Sequence, residues 1–77
     1  MDLNQFIENF AGLFEETEPD NIYANTNFKE LEEWSSLLAL SVIAMVDEEY
    51  DVEFRGHDIR GSQTVEDLYK RVKARIE

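Results

Sequence analysis

Ser36 is the residue whose position suggests chemistry most clearly, because it stands where an irregular acidic stretch gives way to a long segment with a helical pattern. The first turn of a helix leaves backbone N–H groups unpaired and carries the positive end of the helix dipole, so a phosphate on a hydroxyl there is stabilised. The adjacent Ser35 offers a second hydroxyl, and we expect it to be the N-cap, since serine is also a common unmodified helix cap. The residues alone therefore leave two interpretations of Ser36, a modified serine or a helix cap.

Other kinds of chemistry are poorly represented in the chain. It contains no cysteine, which excludes a disulfide, a thiolate metal site and a cysteine nucleophile within these residues. The single histidine, His57, cannot form a histidine-rich metal site, and we expect it to be a surface or cap residue. The carboxylates lack the spacing of a calcium-binding loop, and no phosphate-binding loop or base–nucleophile pair stands out. The sequence predicts neither an enzyme nor a metal site.

The net charge of the chain indicates which kinds of partner it would attract and which it would repel. A formal net charge of −11 on 77 residues would repel the phosphates of nucleic acid and anionic lipid, but would attract basic protein surfaces. The eight acidic residues from Glu30 to Glu53 are interrupted by no lysine or arginine, whereas four cations crowd residues 70–75 and would complement the dipole at the end of a helix. The acidic middle is either a docking face or a surface that only keeps the protein soluble.

Four stretches carry helical signals. The first has six apolar residues on one face and Asp2 as a cap, and the second runs from about Ser36 to Tyr50. A short helix fits between His57 and Gly61, and Thr64 can cap a last amphipathic helix. In the second helix Leu37, Leu40, Ile43, Val46 and Tyr50 fit one stripe, which Val42 widens, and in the last helix the buried stripe is Val65, Leu68, Tyr69, Val72 and Ile76. Leu37 is either a core residue or an exposed apolar contact for a partner, and we favour the contact.

The segments between these helices are predicted to be irregular. Residues 15–34 contain the only proline and no persistent period, yet several apolar side chains should pin this long loop to the core. Among them we expect Trp34 to be a packing residue that fixes the entry of the chain into the second helix. Residues 51–56 alternate like a strand but have no partner strand, so we expect an extended connector. The result is an all-α, small four-helix bundle in a single domain over residues 1–77, with a core of Phe6, Phe10, Phe28, Leu40, Ile43, Val46, Tyr50, Phe54, Val65, Leu68 and Val72.

This layout resembles the acyl carrier protein family, in which a modified serine opens the second of four helices. The similarity lies in Ser36-Leu37, in the acidic run that begins at Asp47 and ends the second helix, and in the stretch Thr64-Val65-Glu66-Asp67-Leu68 that begins the last one. The family usually has aspartate immediately before the serine, where this chain has Ser35. The spacing from Ser36 to the acidic run, together with Leu37, selects Ser36 rather than Ser35.

The resemblance implies a carrier rather than an enzyme. Ser36 would bear 4'-phosphopantetheine, derived from coenzyme A, and the arm would hold acyl or aminoacyl groups as thioesters for fatty acid or specialised biosynthesis. Leu37, Asp47 and Glu48 would dock a phosphopantetheinyl transferase and acyl- or aminoacyl-handling enzymes through their basic patches. We expect a cytoplasmic monomer with no nucleic-acid partner and no membrane insertion; the alternative is an unmodified acidic helical adaptor that only docks a partner protein.

Overall fold

Four helices form the protein in the computed structural model, which describes residues 1–76. They are α1 (Leu3–Ala11), α2 (Ser36–Tyr50), α3 (Gly56–Arg60) and α4 (Val65–Ile76), and two single 3₁₀ turns interrupt the long loop before α2. Within residues 1–76 there is no strand, and a lone bridge joins Asn27 to Thr64. The all-α prediction of a four-helix bundle of acyl-carrier type is confirmed, and residue 77, the last of the predicted single domain, lies outside the described residues.

The helices begin at the polar residues that the sequence indicates. The Asp2 carboxylate accepts the Asn4 N–H at the start of α1. At α4, the Thr64 hydroxyl accepts the Asp67 N–H at 3.1 Å while the Asp67 carboxylate accepts the Thr64 N–H at 3.0 Å, which is a capping box. Each cap satisfies backbone donors that the helix itself leaves unpaired.

The core is built around phenylalanines from α1 and from the long loop. The ring centroid of Phe10 lies 5.3 Å from that of Phe14 and 5.9 Å from that of Phe28, and all three side chains are buried. The loop is therefore pinned to the core, as predicted, although its Tyr23 is exposed. Eight of the residues predicted for the core are buried: Phe6, Phe10, Phe28, Val46, Phe54, Val65, Leu68 and Val72.

The predicted buried stripe of α2 is wrong in part. Leu40, which was predicted to be in the core, is 62% exposed, and Ile43 and Tyr50 are only partly buried. Leu37 is 73% exposed, in agreement with the alternative favoured for it. The inward face consists of Leu38, Val42, Met45 and Val46, of which Val42 and Val46 belong to the predicted stripe. The buried face is thus turned by roughly a third of a turn from the predicted one, at 3.6 residues per turn.

The error has a physical cause. Apolar residues occupy most of the circumference of α2, so their spacing does not select one side, and the buried face is set by what packs against the helix. A smaller correction concerns α4, where Ile76 at the end of the predicted stripe is exposed. Within residues 1–76, no helix combines the length and apolar character needed to cross a membrane.

Core burial predicts different costs for two leucine truncations. Leu68→Ala removes a fully buried side chain and should lower the free energy of unfolding by about 2–5 kcal/mol. Leu40→Ala removes the same atoms from an exposed position and should change it by about 0.5 kcal/mol or less. Urea unfolding followed by circular dichroism measures the free energy of unfolding of both variants. Equal losses in the two variants would contradict the exposure of Leu40 on α2.

Candidate functional site

The chain enters α2 through a segment that is held on both sides. The Trp34 ring packs against Phe28, with centroids 4.8 Å apart, and stacks on Phe14. The Glu33 carboxylate accepts the backbone N–H groups of Glu15, Glu16 and Thr17 and the Thr17 hydroxyl. These bonds, the Glu15 N–H first, lower the pKa of Glu33 and keep it ionised. The direction in which α2 begins is fixed by these contacts.

Ser35 and Ser36 take different roles at the first turn. Ser35 is the N-cap, as predicted, and its hydroxyl accepts the Leu38 N–H at 3.3 Å. Ser36 is the first helical residue, and its side chain is exposed. Within residues 1–76, no protein group accepts the backbone N–H of Ser36 or of Leu37. An exposed hydroxyl therefore lies beside two unpaired donors at the positive end of a 15-residue helix, where an anion is stabilised.

The three residues predicted to dock partners lie on one exposed face of α2. Leu37, Asp47 and Glu48 are exposed, and positions separated by three, four, seven or eleven residues share a helix face. Leu40 and Ala44, also exposed, fill the face between them. This outer face combines an apolar end next to Ser36 with an acidic end that begins eleven residues later, at Asp47, and the wrongly predicted burial of Leu40 hid its continuity.

Ser36 also borders a groove between α2 and α3. Its volume is about 540 Å³, and its lining comprises Lys29, Trp34, Ser35, Ser36, Ala39, Leu40, Ile43, Gly56, Ile59 and Arg60. None of these side chains is acidic, although the chain contains 18 aspartates and glutamates. The groove therefore differs from the outer face in its charge, and the two adjoin along α2, where they share Leu40.

An ion cluster that the sequence analysis missed holds α3 against α4. Asp58 is fully buried, and its carboxylate accepts two hydrogen bonds from the Arg75 guanidinium, one from Arg71 at 3.1 Å, and the backbone N–H of Arg55 at 3.0 Å. Arg71 also donates to the Gly61 carbonyl. The cations of residues 70–75 were expected only to complement a helix dipole. The sequence signal that could have revealed the pairing with Asp58 is the four-residue spacing of Arg71 and Arg75 on the last helix.

The cluster keeps Asp58 ionised. The hydrogen bonds from Arg75 lower the pKa of Asp58 strongly, and the Arg55 N–H and the Arg75 charge act in the same direction against the effect of burial. The same contact raises the pKa of Arg75. His57, as expected, is an exposed residue of α3. Within the described part of the chain, no group of three or more histidine, aspartate or glutamate side chains could hold a metal ion.

Comparison with known families agrees with this geometry. The family model described as "Phosphopantetheine attachment site" matches residues 4–72, which is most of the chain. The search of curated proteins found no match. The chain therefore belongs to the phosphopantetheine attachment-site family, and it is a carrier protein for covalently attached 4'-phosphopantetheine.

The residues present fit that group. A phosphodiester needs an accessible hydroxyl and an environment that tolerates negative charge, and Ser36 has both: it is exposed, and among the described residues 1–76 the Ser36 and Leu37 N–H groups have no acceptor. Ser35 is less suitable because its hydroxyl already caps the helix.

The ion cluster predicts an acid-sensitive contribution to stability. Asp58→Asn should lower the free energy of unfolding at pH 7 by about 1–3 kcal/mol, because it leaves two guanidinium groups without their carboxylate. We expect the lower part of this range, since the Arg71 and Arg75 side chains are 37% and 38% exposed and partly solvated.

The pH dependence follows from the direction of the pKa shift. A carboxyl with a lowered native pKa stabilises the fold fully above its ordinary pKa, and this stabilisation is lost as the pH falls through about 4 and below. The stability difference between the wild type and Asp58→Asn should therefore shrink in urea titrations below about pH 4. A difference that stays constant from pH 7 to acid would show that the ionised carboxylate is not its source.

Proposed function

We propose that this protein is an acyl carrier protein that bears its 4'-phosphopantetheine arm on Ser36. The observation that carries the proposal is an exposed serine hydroxyl at the first turn of α2, inside a family match over residues 4–72. When bound, the arm supplies a terminal thiol that holds acyl or aminoacyl cargo as a thioester. A chain without cysteine can in this way serve fatty acid or specialised biosynthesis.

The attachment requires little of the protein itself. The Ser36 oxygen forms a bond to the phosphorus that bears the pantetheine portion of coenzyme A, adenosine 3',5'-bisphosphate leaves, and a base of the transferase takes the hydroxyl proton. The role of this chain is to present the hydroxyl and to stabilise the new negative charge with the first-turn N–H groups. The protein would act as a carrier and not as an enzyme.

The outer face of α2 is the proposed docking surface for the transferase and for acyl- or aminoacyl-handling enzymes. Leu37 offers an apolar contact beside the attachment site, and Asp47 and Glu48 offer negative charge to basic patches. Exposed ion pairs are individually weak, which suits a carrier that must leave each enzyme in turn. We further propose that the carrier works as a monomer; its cytoplasmic location stays a prediction.

Attachment at Ser36 can be tested by intact mass. Incubation with coenzyme A and a broad-specificity phosphopantetheinyl transferase should add the mass of one phosphopantetheine group to the wild type and none to Ser36→Ala, which lacks the accepting oxygen. Ser35→Ala is the matched control, because it removes the neighbouring hydroxyl and a helix cap and should still gain the mass. Labelling that persists in Ser36→Ala would overturn the assignment, and an unmodified wild type would favour the adaptor interpretation.

Docking can be tested by charge reversal. Asp47→Lys together with Glu48→Lys should slow association with the transferase by on the order of tenfold at low salt, because long-range attraction to a basic patch raises the encounter rate. High salt should reduce the difference. Stopped-flow or surface plasmon resonance kinetics provide the measurement.

The control reverses the same number of charges elsewhere. Glu15→Lys together with Glu16→Lys changes the net charge equally, and both side chains are exposed on the loop after α1. This variant should bind the transferase nearly as fast as the wild type. If the two double variants are slowed equally, only net charge matters and the outer face is not the docking surface.

A further inference from the structure

Three consecutive backbone N–H groups of the loop after α1 converge on a single side chain. The N–H groups of Glu15, Glu16 and Thr17 donate to the Glu33 carboxylate over 2.8, 3.0 and 2.9 Å, and the Thr17 hydroxyl donates to it over 3.0 Å. Within residues 1–76 these three N–H groups have no other acceptor. Successive backbone N–H groups in a turn form a concave anion site, and here a carboxylate of the same chain occupies it.

These four bonds, which we call the Glu33 clamp, join the loop to the segment that enters α2. Glu33 lies three residues before Ser36. The other hydrogen bonds of residues 31–36 are local, such as the bond from the Trp34 N–H to the Leu31 carbonyl at 3.0 Å. In the described part of the chain, the Glu33 clamp is therefore the hydrogen-bonded link between this segment and residues distant in sequence.

An aromatic contact lies directly beside the Glu33 clamp. The Trp34 ring stacks on the Phe14 ring, with centroids 6.4 Å apart and 29° between the ring planes. Phe14 precedes Glu15 and Trp34 follows Glu33, so a polar and an apolar contact hold the same two pieces of chain together. A single contact would leave the entering segment free to turn about it, whereas contacts at two adjacent residues also restrict its direction.

We propose that Glu33 is a positioning residue for the modification of Ser36. The proposal rests on attachment at Ser36, and it assigns to the Glu33 clamp the task of keeping the first turn of α2 in one conformation. Helix ends fray, and a frayed first turn would hold the Ser36 hydroxyl in the reactive geometry for only part of the time. Misplacement of a reacting group by about 1 Å can slow a reaction about 100-fold. Asp47 and Glu48 lie near the other end of α2, so the loss of the clamp should leave docking nearly intact.

The test measures single-turnover modification by intact mass, with coenzyme A and the transferase in excess over the carrier. Glu33→Gln retains the size of the side chain but removes its charge, and it should lower the maximal rate constant by about three- to tenfold. The transferase concentration that gives half the maximal rate should stay within about twofold of the wild-type value, since docking is retained.

Glu32→Gln is the matched control. Glu32 is the adjacent residue, its side chain is exposed, and it forms no ion pair in the part of the chain that the structure describes. The substitution removes the same charge as Glu33→Gln but leaves the Glu33 clamp in place. Its maximal rate constant should equal that of the wild type.

Thr17→Val tests the Glu33 clamp from the side of the loop. It removes one of the four bonds, so it should slow modification less than Glu33→Gln, and it should add little when the two substitutions are combined. Amide hydrogen exchange at residues 15–17 should accelerate in both single variants and not in Glu32→Gln, because the Glu33 carboxylate is the acceptor of these N–H groups.

Circular dichroism verifies that each variant is folded, and Thr17→Val carries the comparison if Glu33→Gln is not. Equal maximal rate constants for Glu33→Gln and Glu32→Gln would overturn the positioning role while leaving attachment at Ser36 intact. So would a loss confined to the half-maximal concentration, or effects of Glu33→Gln and Thr17→Val that add, because either result would indicate direct contact of Glu33 with the transferase. A wild type that gains no mass would overturn the attachment and, with it, this proposal.

Discussion

The position of α3 depends on one buried carboxylate. Asp58 has no access to solvent, and a buried charge is costly unless it is fully hydrogen-bonded, which Arg75, Arg71 and the Arg55 N–H together achieve. A helix of five residues has little stability of its own, so it is held by these contacts and by the burial of Ile59 rather than by its helical hydrogen bonds. Since α3 forms one wall of the groove beside Ser36, the shape of the site depends on an ion cluster made largely with α4.

The apolar residues of α2 fall into two groups, one buried in the core and one exposed. Leu38, Val42, Met45 and Val46 stabilise the core, whereas Leu37 and Leu40 remain exposed although each costs free energy in water. Two exposed leucines one turn apart, next to an exposed serine, are unusual for a surface that serves solubility alone. The proposed contact surface for transient partners would explain them, and it would also explain why the helix carries more apolar residues than one buried face requires.

The sequence predicted well the features that depend on neighbouring residues, and less well those that depend on contacts between helices. The bounds of α2, the caps at Asp2, Ser35 and Thr64, and the packing role of Trp34 depend on neighbouring residues and were all foreseen. The buried face of α2 could not be predicted, because apolar residues surround the helix and the choice is made by α1 and α4. The Asp58 cluster joins residues thirteen and seventeen positions apart, so the four-residue spacing of Arg71 and Arg75 is its local signal but does not identify the carboxylate that they bind.

The candidate functional site was also predicted only in part, because it too depends on contacts between residues that are distant in sequence. Ser36 was identified from its helix start and from the family resemblance, but the groove beside it required the placement of Lys29, from the long loop, next to Arg60 of α3. In the linear sequence these two cations are thirty-one residues apart and show no relation to the serine. A charge count that assigns the acidic middle to docking and the basic end to a helix dipole overlooks both of them.

Charge is therefore segregated around α2, and this segregation has a consequence for the proposed function. Long-range attraction between the acidic outer face and a basic partner is screened by salt. A basic partner that covers Leu37 would bring its cations close to Ser36, because the two residues are neighbours at the start of α2. The phosphate of the proposed arm would add a negative charge at that apolar end of the face, so attachment would strengthen the attraction to a basic partner without a rearrangement of the helices.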